Sequence, residues 1–235
     1  MDLALQLRDE LQRQGADLVG FGDLAALPAD TRQGLPTGVA VAVKLPKEAV
    51  RGIAAFEYPT RAYFDQYHLL NDRLDAIVTA GAALLRRAGY RAVARTRQYV
   101  SQFETDDATP LPHKTVATRA GLGWIGKSAL LVTPEFGSMV RLSSLLTDAP
   151  LPCAPPVDES RCGDCEACAR ACPGGAVSGR LWHAGLPREE FFDAAACRAA
   201  ARALSLAGLG EEITLCGKCV AACPWTQRYL EEEDA

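Results

Sequence analysis

Nine cysteines stand out first, all between residues 153 and 223. One run is Cys162-Gly-Asp-Cys165-Glu-Ala-Cys168-Ala-Arg-Ala-Cys172-Pro173, and a second is Cys216-Gly-Lys-Cys219-Val-Ala-Ala-Cys223-Pro224. The first has the C-x2-C-x2-C-x3-C-P spacing by which bacterial ferredoxins hold iron–sulfur clusters. The second keeps the C-x2-C and C-x3-C-P spacings and lacks one cysteine of the full run. A tight loop with cysteines three apart brings three thiolates to three corners of a cubane. The fourth cysteine opens a new segment ahead of a proline and points to the other cluster. The pattern therefore implies two 4Fe–4S clusters. One takes Cys162, Cys165, Cys168 and Cys223. The other takes Cys172, Cys216, Cys219 and Cys197, which lies between the runs, with Cys153 the alternative eighth ligand. Structural zinc also uses C-x2-C pairs. It needs only four ligands per site and gives no reason for two C-x3-C-P ends.

The glycine-rich segment Gly121-x-Gly123-x-x-Gly126-Lys127-Ser128 matches both a dinucleotide fingerprint and a phosphate loop, on overlapping residues. Either loop has to follow a buried apolar strand. The preceding 113–120 is polar and more helical than strand-like, and little chain follows before a proline-rich stretch. The expected structure is a glycine turn leading into a strand over 129–133, with Trp124 packed nearby and Lys127 turned to an anionic cofactor group or a local cap. Arg86, Arg87, Arg91, Arg95 and Arg97 are the basic concentration. A solvated helix end and a polar strand face explain them better than RNA phosphate does. His68, His113 and His183 are too scattered to argue a metal site.

Several elements must position these residues. Residues 2–14 form an amphipathic helix with Asp2 as its cap and Leu3, Leu7 and Leu11 on one face. Strands are expected over 16–22, 38–45 and 90–99, a long helix over 61–88, a polar loop over 100–112, and two strands over 128–146 around a turn at Thr133–Gly137. Four prolines within 149–157 suggest a stiff linker and a boundary between domains 1–150 and 151–228, with 229–235 an acidic tail. The fold class is α+β: an N-terminal α/β domain followed by a two-cluster bacterial ferredoxin-like domain.

Composition bounds the function. The chain has 235 residues, 49% hydrophobic and 23% charged, which excludes a mainly disordered protein. No apolar run is long enough for a membrane helix, and the first residues lack a signal-peptide core. A cytoplasmic, reducing setting follows, in which clustered cysteines mean metal rather than disulfides. The net charge of −4 argues against nucleic acid as the main partner.

The string from Arg119 to Leu131 (RAGLGWIGKSALL), then Gly137-Ser138, LLTD at 145–148, and two cysteine runs ending Cys223-Pro224-Trp225 resemble the epoxyqueuosine reductase family. That family resembles reductive dehalogenases. The match covers about half the chain, from Asp107 to Trp225, and before it Tyr67-His68 in the long helix also fits. The resemblance implies a nitroreductase-like, corrinoid-binding N-terminal domain. It implies Tyr67, His68, Gly123, Trp124 and Lys127 as cofactor-binding residues and Asp107 as the general acid that protonates the substrate. It also implies a cobalamin beside the clusters, an external donor of the ferredoxin or flavodoxin type, and an epoxide in a tRNA base as substrate. Asp107-Ala108-Thr109-Pro110 replaces the family's D-S-A-P, His113-Lys114 replaces a glutamate–basic pair, and Thr226 replaces an asparagine. These departures bear on the tRNA or small-molecule substrate and on the corrinoid, and leave the clusters untouched. The alternative is an electron-transfer protein or reductive activator of a partner, with no substrate chemistry of its own.

Overall fold

The computed structural model describes residues 2–103 and 108–232. Its elements in chain order are α1 (Leu3–Arg13), β1 (Leu18–Asp23), β2 (Thr37–Lys44), α2 (Lys47–Ala55), α3 (Arg61–Arg87), β3 (Ala92–Ala94) and α4 (Arg97–Ser101). There follow α5 (His113–Arg119), β4 (Trp124–Ile125), β5 (Leu131–Val132), β6 (Val140–Thr147), α6 (Ala167–Arg170), α7 (Ala194–Leu209), α8 (Lys218–Ala221) and α9 (Pro224–Glu231). The mixed α and β content is as the sequence implies. No described helix is long and apolar enough to cross a membrane.

The chain forms two compact units whose segments alternate along the sequence. The first is Met1–Val43, Leu70–Gly123 and Arg141–Val157. Its sheet has the order β1-β2-β6-β3. β1 runs antiparallel to β2 with Leu18 opposite Ala42, and β3 runs antiparallel to β6 with Ala92 opposite Thr147. β2 is a run of small and β-branched residues, and Val39 to Val43 are wholly buried, as befits an inner strand. The Asp2 carboxylate caps α1 by accepting from the Ala4 N–H at 3.0 Å, and Leu7 and Leu11 are fully buried. Gly81 of α3 fits between Leu11 and Leu145: a Cβ there would come within 2.8 and 2.9 Å of their methyl carbons. Gly20 and Gly22 let α5 rest directly on β1, since a Cβ at either would lie under 3 Å from Ala120 or Arg119 backbone atoms.

The second unit is Lys44–Leu69, Trp124–Val140 and Asp158–Ala235, and it carries little sheet beyond the short β4–β5 pair. One apolar cluster gathers Ile125, Ala129, Trp182 and Phe191. α2 packs on α8, with Gly217 beneath Ile53 and Tyr63.

Four expectations differ from this structure. The expected single boundary near 150 is replaced by alternating segments, and the proline-rich stretch is a packed strap rather than a free linker. Ala149 is fully buried, and the N–H groups of Ala154 and Val157 bond the carbonyls of Phe21 and Thr118. The strand expected over 90–99 shrinks to β3 because Thr96 caps α4, its hydroxyl accepting from the Tyr99 N–H. The tail begins later than 229: Tyr229 to Glu231 belong to α9, held by buried Leu230. α7 was not foreseen, because its alanine-rich sequence has no apolar stripe. Asp193 caps its start and Gly210, in the left-handed region, ends it.

Candidate metal centre

The two cysteine runs fold alike, and both lie in the second unit. Each places a four-residue helix, α6 or α8, just before its last cysteine, and α6 packs against α8. In the first run the Cys165 N–H bonds the Cys162 carbonyl at 3.2 Å, closing the turn that precedes α6. In the second, Gly217 adopts φ +81° to enter α8, a conformation that suits glycine. Pro224 then opens α9 at its first position, where a missing N–H costs nothing.

A cavity of about 100 Å³ lies where the runs meet, lined by Cys162, Cys165, Cys168, Cys219 and Cys223. Gly126, Lys127, Ser128, Val132, Pro224 and Trp225 complete its wall. A Cβ on Gly126 would stand 3.5 Å from Cys162 Sγ and 2.9 Å from Val132 Cγ2, so glycine keeps this wall open. The thiols press on one another. Burial, with Cys162, Cys223 and Cys165 acting the same way, pushes the Cys168 thiol up to about 11. Burial likewise raises Cys197, reinforced by Cys172, Cys216 and Asp193. Cys216 is raised by burial, opposed by the Lys218 N–H and charge. Cys219 is raised by burial and then by Cys216, Cys197, Cys168 and Cys172. Half-buried thiols that crowd in this way are costly as bare thiolates and suit a polynuclear cation. Among the described residues, no three His, Cys, Asp or Glu side chains are close enough to hold a single metal ion. An iron–sulfur cube instead sets its thiolates around a larger core.

The neighbours of the thiols fall into two groups that meet at Cys219, which faces Cys216, Cys197 and Cys172 and also Cys168. Cys168 faces Cys162, Cys165 and Cys223, while Cys197 faces Cys172 and Cys216. Cys153 has different company: its thiol donates to the Leu151 carbonyl at 3.5 Å and faces Asp23. The Ala176 N–H bonds Cys172 Sγ at 3.3 Å.

The glycine string splits into two uses. α5 ends at Ala120 with Gly121 at φ +72°. The Leu122 N–H returns to the Ala117 carbonyl and the Gly121 N–H to that of Thr118, a Schellman cap. Gly121 therefore closes a helix, whereas a phosphate loop would open one. Gly123 follows in the turn before β4. Trp124 is fully buried, with its ring edge against Trp225 at 4.9 Å, and its Nε1–H has no hydrogen-bond partner among the described residues. Lys127 is 5% exposed and lines the cavity. Trp225 and Ser128 were missed as site residues. The signal for the former was its place directly after Cys223-Pro224, and for the latter its place after Gly126-Lys127 in the glycine string.

Other expected residues lie elsewhere. Tyr67 and His68 sit on α3, where His68 is exposed and its ring packs on Phe64 at 4.5 Å. Neither lines the cysteine cavity. Asp107 lies outside the described residues. The arginine concentration is structural: Arg86 bonds the Ala92 carbonyl, Arg91 pairs with Asp148, and Arg97 pairs with Asp72 and Asp75. Arg95 is buried, bonding the Ser144 hydroxyl at 3.1 Å and the Leu111 carbonyl. His113 shares that hydroxyl at 2.9 Å, and burial beside Arg95 and Arg141 lowers its pKa to about 3.

Comparison with known proteins agrees with this geometry. Residues 161–226 match the 4Fe-4S double cluster binding domain family. An epoxyqueuosine reductase of Synechococcus sp. (strain CC9605) is 35% identical over 191 residues, covering 70% of this chain and 56% of that protein. The chain spans about half the length of the curated relatives it matches. The fold is similar to that of an epoxyqueuosine reductase solved with an epoxyqueuosine-modified tRNA stem loop. There the TM-score is 0.60 at 22% identity, over 96% of this chain and 65% of that one. It is also similar to a reductive dehalogenase described for B12-dependent dehalogenation, with TM-score 0.68 and 22% identity over 94% of this chain and 31% of that one.

Proposed function

We propose that this relative of the epoxyqueuosine reductases is an iron–sulfur oxidoreductase that works in the cytoplasm and passes electrons through two 4Fe–4S clusters. Cys162, Cys165, Cys168 and Cys223 hold one cluster, and Cys172, Cys197, Cys216 and Cys219 hold the other. The observation that carries this reading is the gathering of eight cysteines, in two runs plus Cys197, inside the segment that matches a double-cluster family, five of them around one cavity. When bound, such clusters supply one-electron transfer at low potential. The chain's own residues do the rest. The thiolates fix the clusters, Gly126 leaves them room, and buried Trp124 with half-buried Trp225 against it keeps water from the wall of the first site. The electrons come from an external ferredoxin- or flavodoxin-type donor.

The reading extends to a corrinoid held by the N-terminal part of the chain, supported by likeness to the B12-dependent dehalogenase, and to an epoxide substrate on a small molecule or tRNA. Tyr67, His68, Gly123 and Trp124 are then cofactor contacts. Asp107 acts as general acid, giving its proton to the oxygen released when the epoxide opens. The test is anaerobic production with iron, sulfide and cobalamin supplied, followed by iron, cobalt and visible-spectrum measurements on one sample. Clusters with stoichiometric cobalt support the full reading, and Asp107→Ala should then abolish turnover while leaving both metals in place. Clusters without cobalt leave an electron carrier, and zinc in place of iron overturns the proposal.

A further inference from the structure

Lys127 is the buried charge that no step above uses. It lies in the wall of the cysteine cavity with only 5% of its surface exposed, in a lining that holds all four cysteines assigned to the first cluster and only Cys219 of the second. No aspartate or glutamate lines that cavity among the described residues. The sequence context that would make it a nucleotide-binding lysine is absent, because the glycines before it cap a helix and lead to β4 rather than opening a helix onto a phosphate. The Lys127 side chain therefore stands in poorly hydrated surroundings in the same wall as the cysteines.

We infer that Lys127 tunes the redox potential of the cluster held by Cys162, Cys165, Cys168 and Cys223. This rests on the cluster assignment proposed above. Each electron that enters such a cluster adds one negative charge and forms no bond to the protein. A fixed cation nearby stabilises the reduced form more than the oxidised form, so it raises the potential. The effect is larger where water is excluded, since charges there interact through a lower dielectric. The second cysteine group is built differently. Lys218, which acts on Cys216, is engaged with the carbonyls of Ile53 and Phe56, and Asp193 acts on Cys197. Backbone N–H groups also reach Cys172 and Cys216.

The experiment is an anaerobic redox titration of the full chain with reconstituted clusters, followed by electron paramagnetic resonance, with iron measured on every sample. Lys127→Met should lower the potential of one cluster and leave the other in place, and Lys127→Arg should restore it. Lys127→Gln serves as a second neutral variant. Unmoved potentials in the iron-replete neutral variants would overturn the inference. So would an arginine variant that behaves like the methionine variant, because the side chain's volume and not its charge would then matter. If the neutral variants lose one cluster's iron and the arginine variant keeps it, the charge holds the cluster rather than setting its potential, and the inference fails. If all three lose it, Lys127 is structural and the inference fails. A wild-type protein without two clusters would instead overturn the cluster assignment itself.

Discussion

The two compact units are held together by different means. The first has a four-stranded sheet, a long helix and a core of fully buried Leu7, Leu11, Val41, Ile77, Leu85 and Leu145. Hydrophobic burial of that extent accounts for its fold without help. The second has a two-stranded ribbon, helices of which only the alanine-rich α7 is long, and a small apolar cluster, and five of its half-buried cysteines line a cavity. A segment of this kind gains its order from what the thiolates bind. The difference teaches that this chain is part self-sufficient fold and part metal-organised site.

The largest expected effect comes from removing iron. Anaerobic chelation should abolish hydrogen-exchange protection in α6 and α8 while amides of β2 and β6 stay protected. Equal loss in both units would erase the distinction. In the first unit, Leu145→Ala removes a fully buried side chain from beside Gly81 and should cost about 2–5 kcal/mol, read as a lower denaturation midpoint at unchanged iron content.

Acid should next separate the units through His113. Its folded pKa is lowered to about 3, against an unperturbed value of about 6.5. Above about pH 6.5 both folded and unfolded chains hold it neutral. Between about 6.5 and 3 only the unfolded chain takes the proton, so stability falls as pH falls, by about 1.4 kcal/mol per unit. Urea midpoints across that range should show this slope, and His113→Gln should flatten it. The smallest effect belongs to Asp193, whose carboxylate caps α7 by accepting from the Ala196 N–H at 2.9 Å. Asp193→Ala should cost about 1 kcal/mol and loosen the helix that carries Cys197. It should be seen in faster loss of iron to a chelator.

Legibility in the sequence followed the same division. α1, β2 and α3 were readable because apolar residues recur with helix or strand period and Asp2 and Gly89 mark ends. The cluster cysteines were readable because ligand spacing is a local property. What was hidden depended on distant contacts. The 149–157 strap looks like a linker until Ala154 is seen bonded to Phe21. Gly121 reads as a turn in the sequence, but that the turn is the cap of α5 shows only when its N–H is traced back to Thr118. α7 offers alanines where a stripe of leucines would have announced a helix. Lys127 could be singled out from its motif, but only burial in the cysteine cavity gives its charge something to act on.

The most direct measurement compares iron and acid-labile sulfide in anaerobically reconstituted wild type, Cys197→Ser and Cys153→Ser. The two-cluster assignment expects about eight irons in wild type and in Cys153→Ser, and loss or degradation of one cluster in Cys197→Ser. Full iron in Cys197→Ser with loss in Cys153→Ser, or zinc in place of iron throughout, would contradict it.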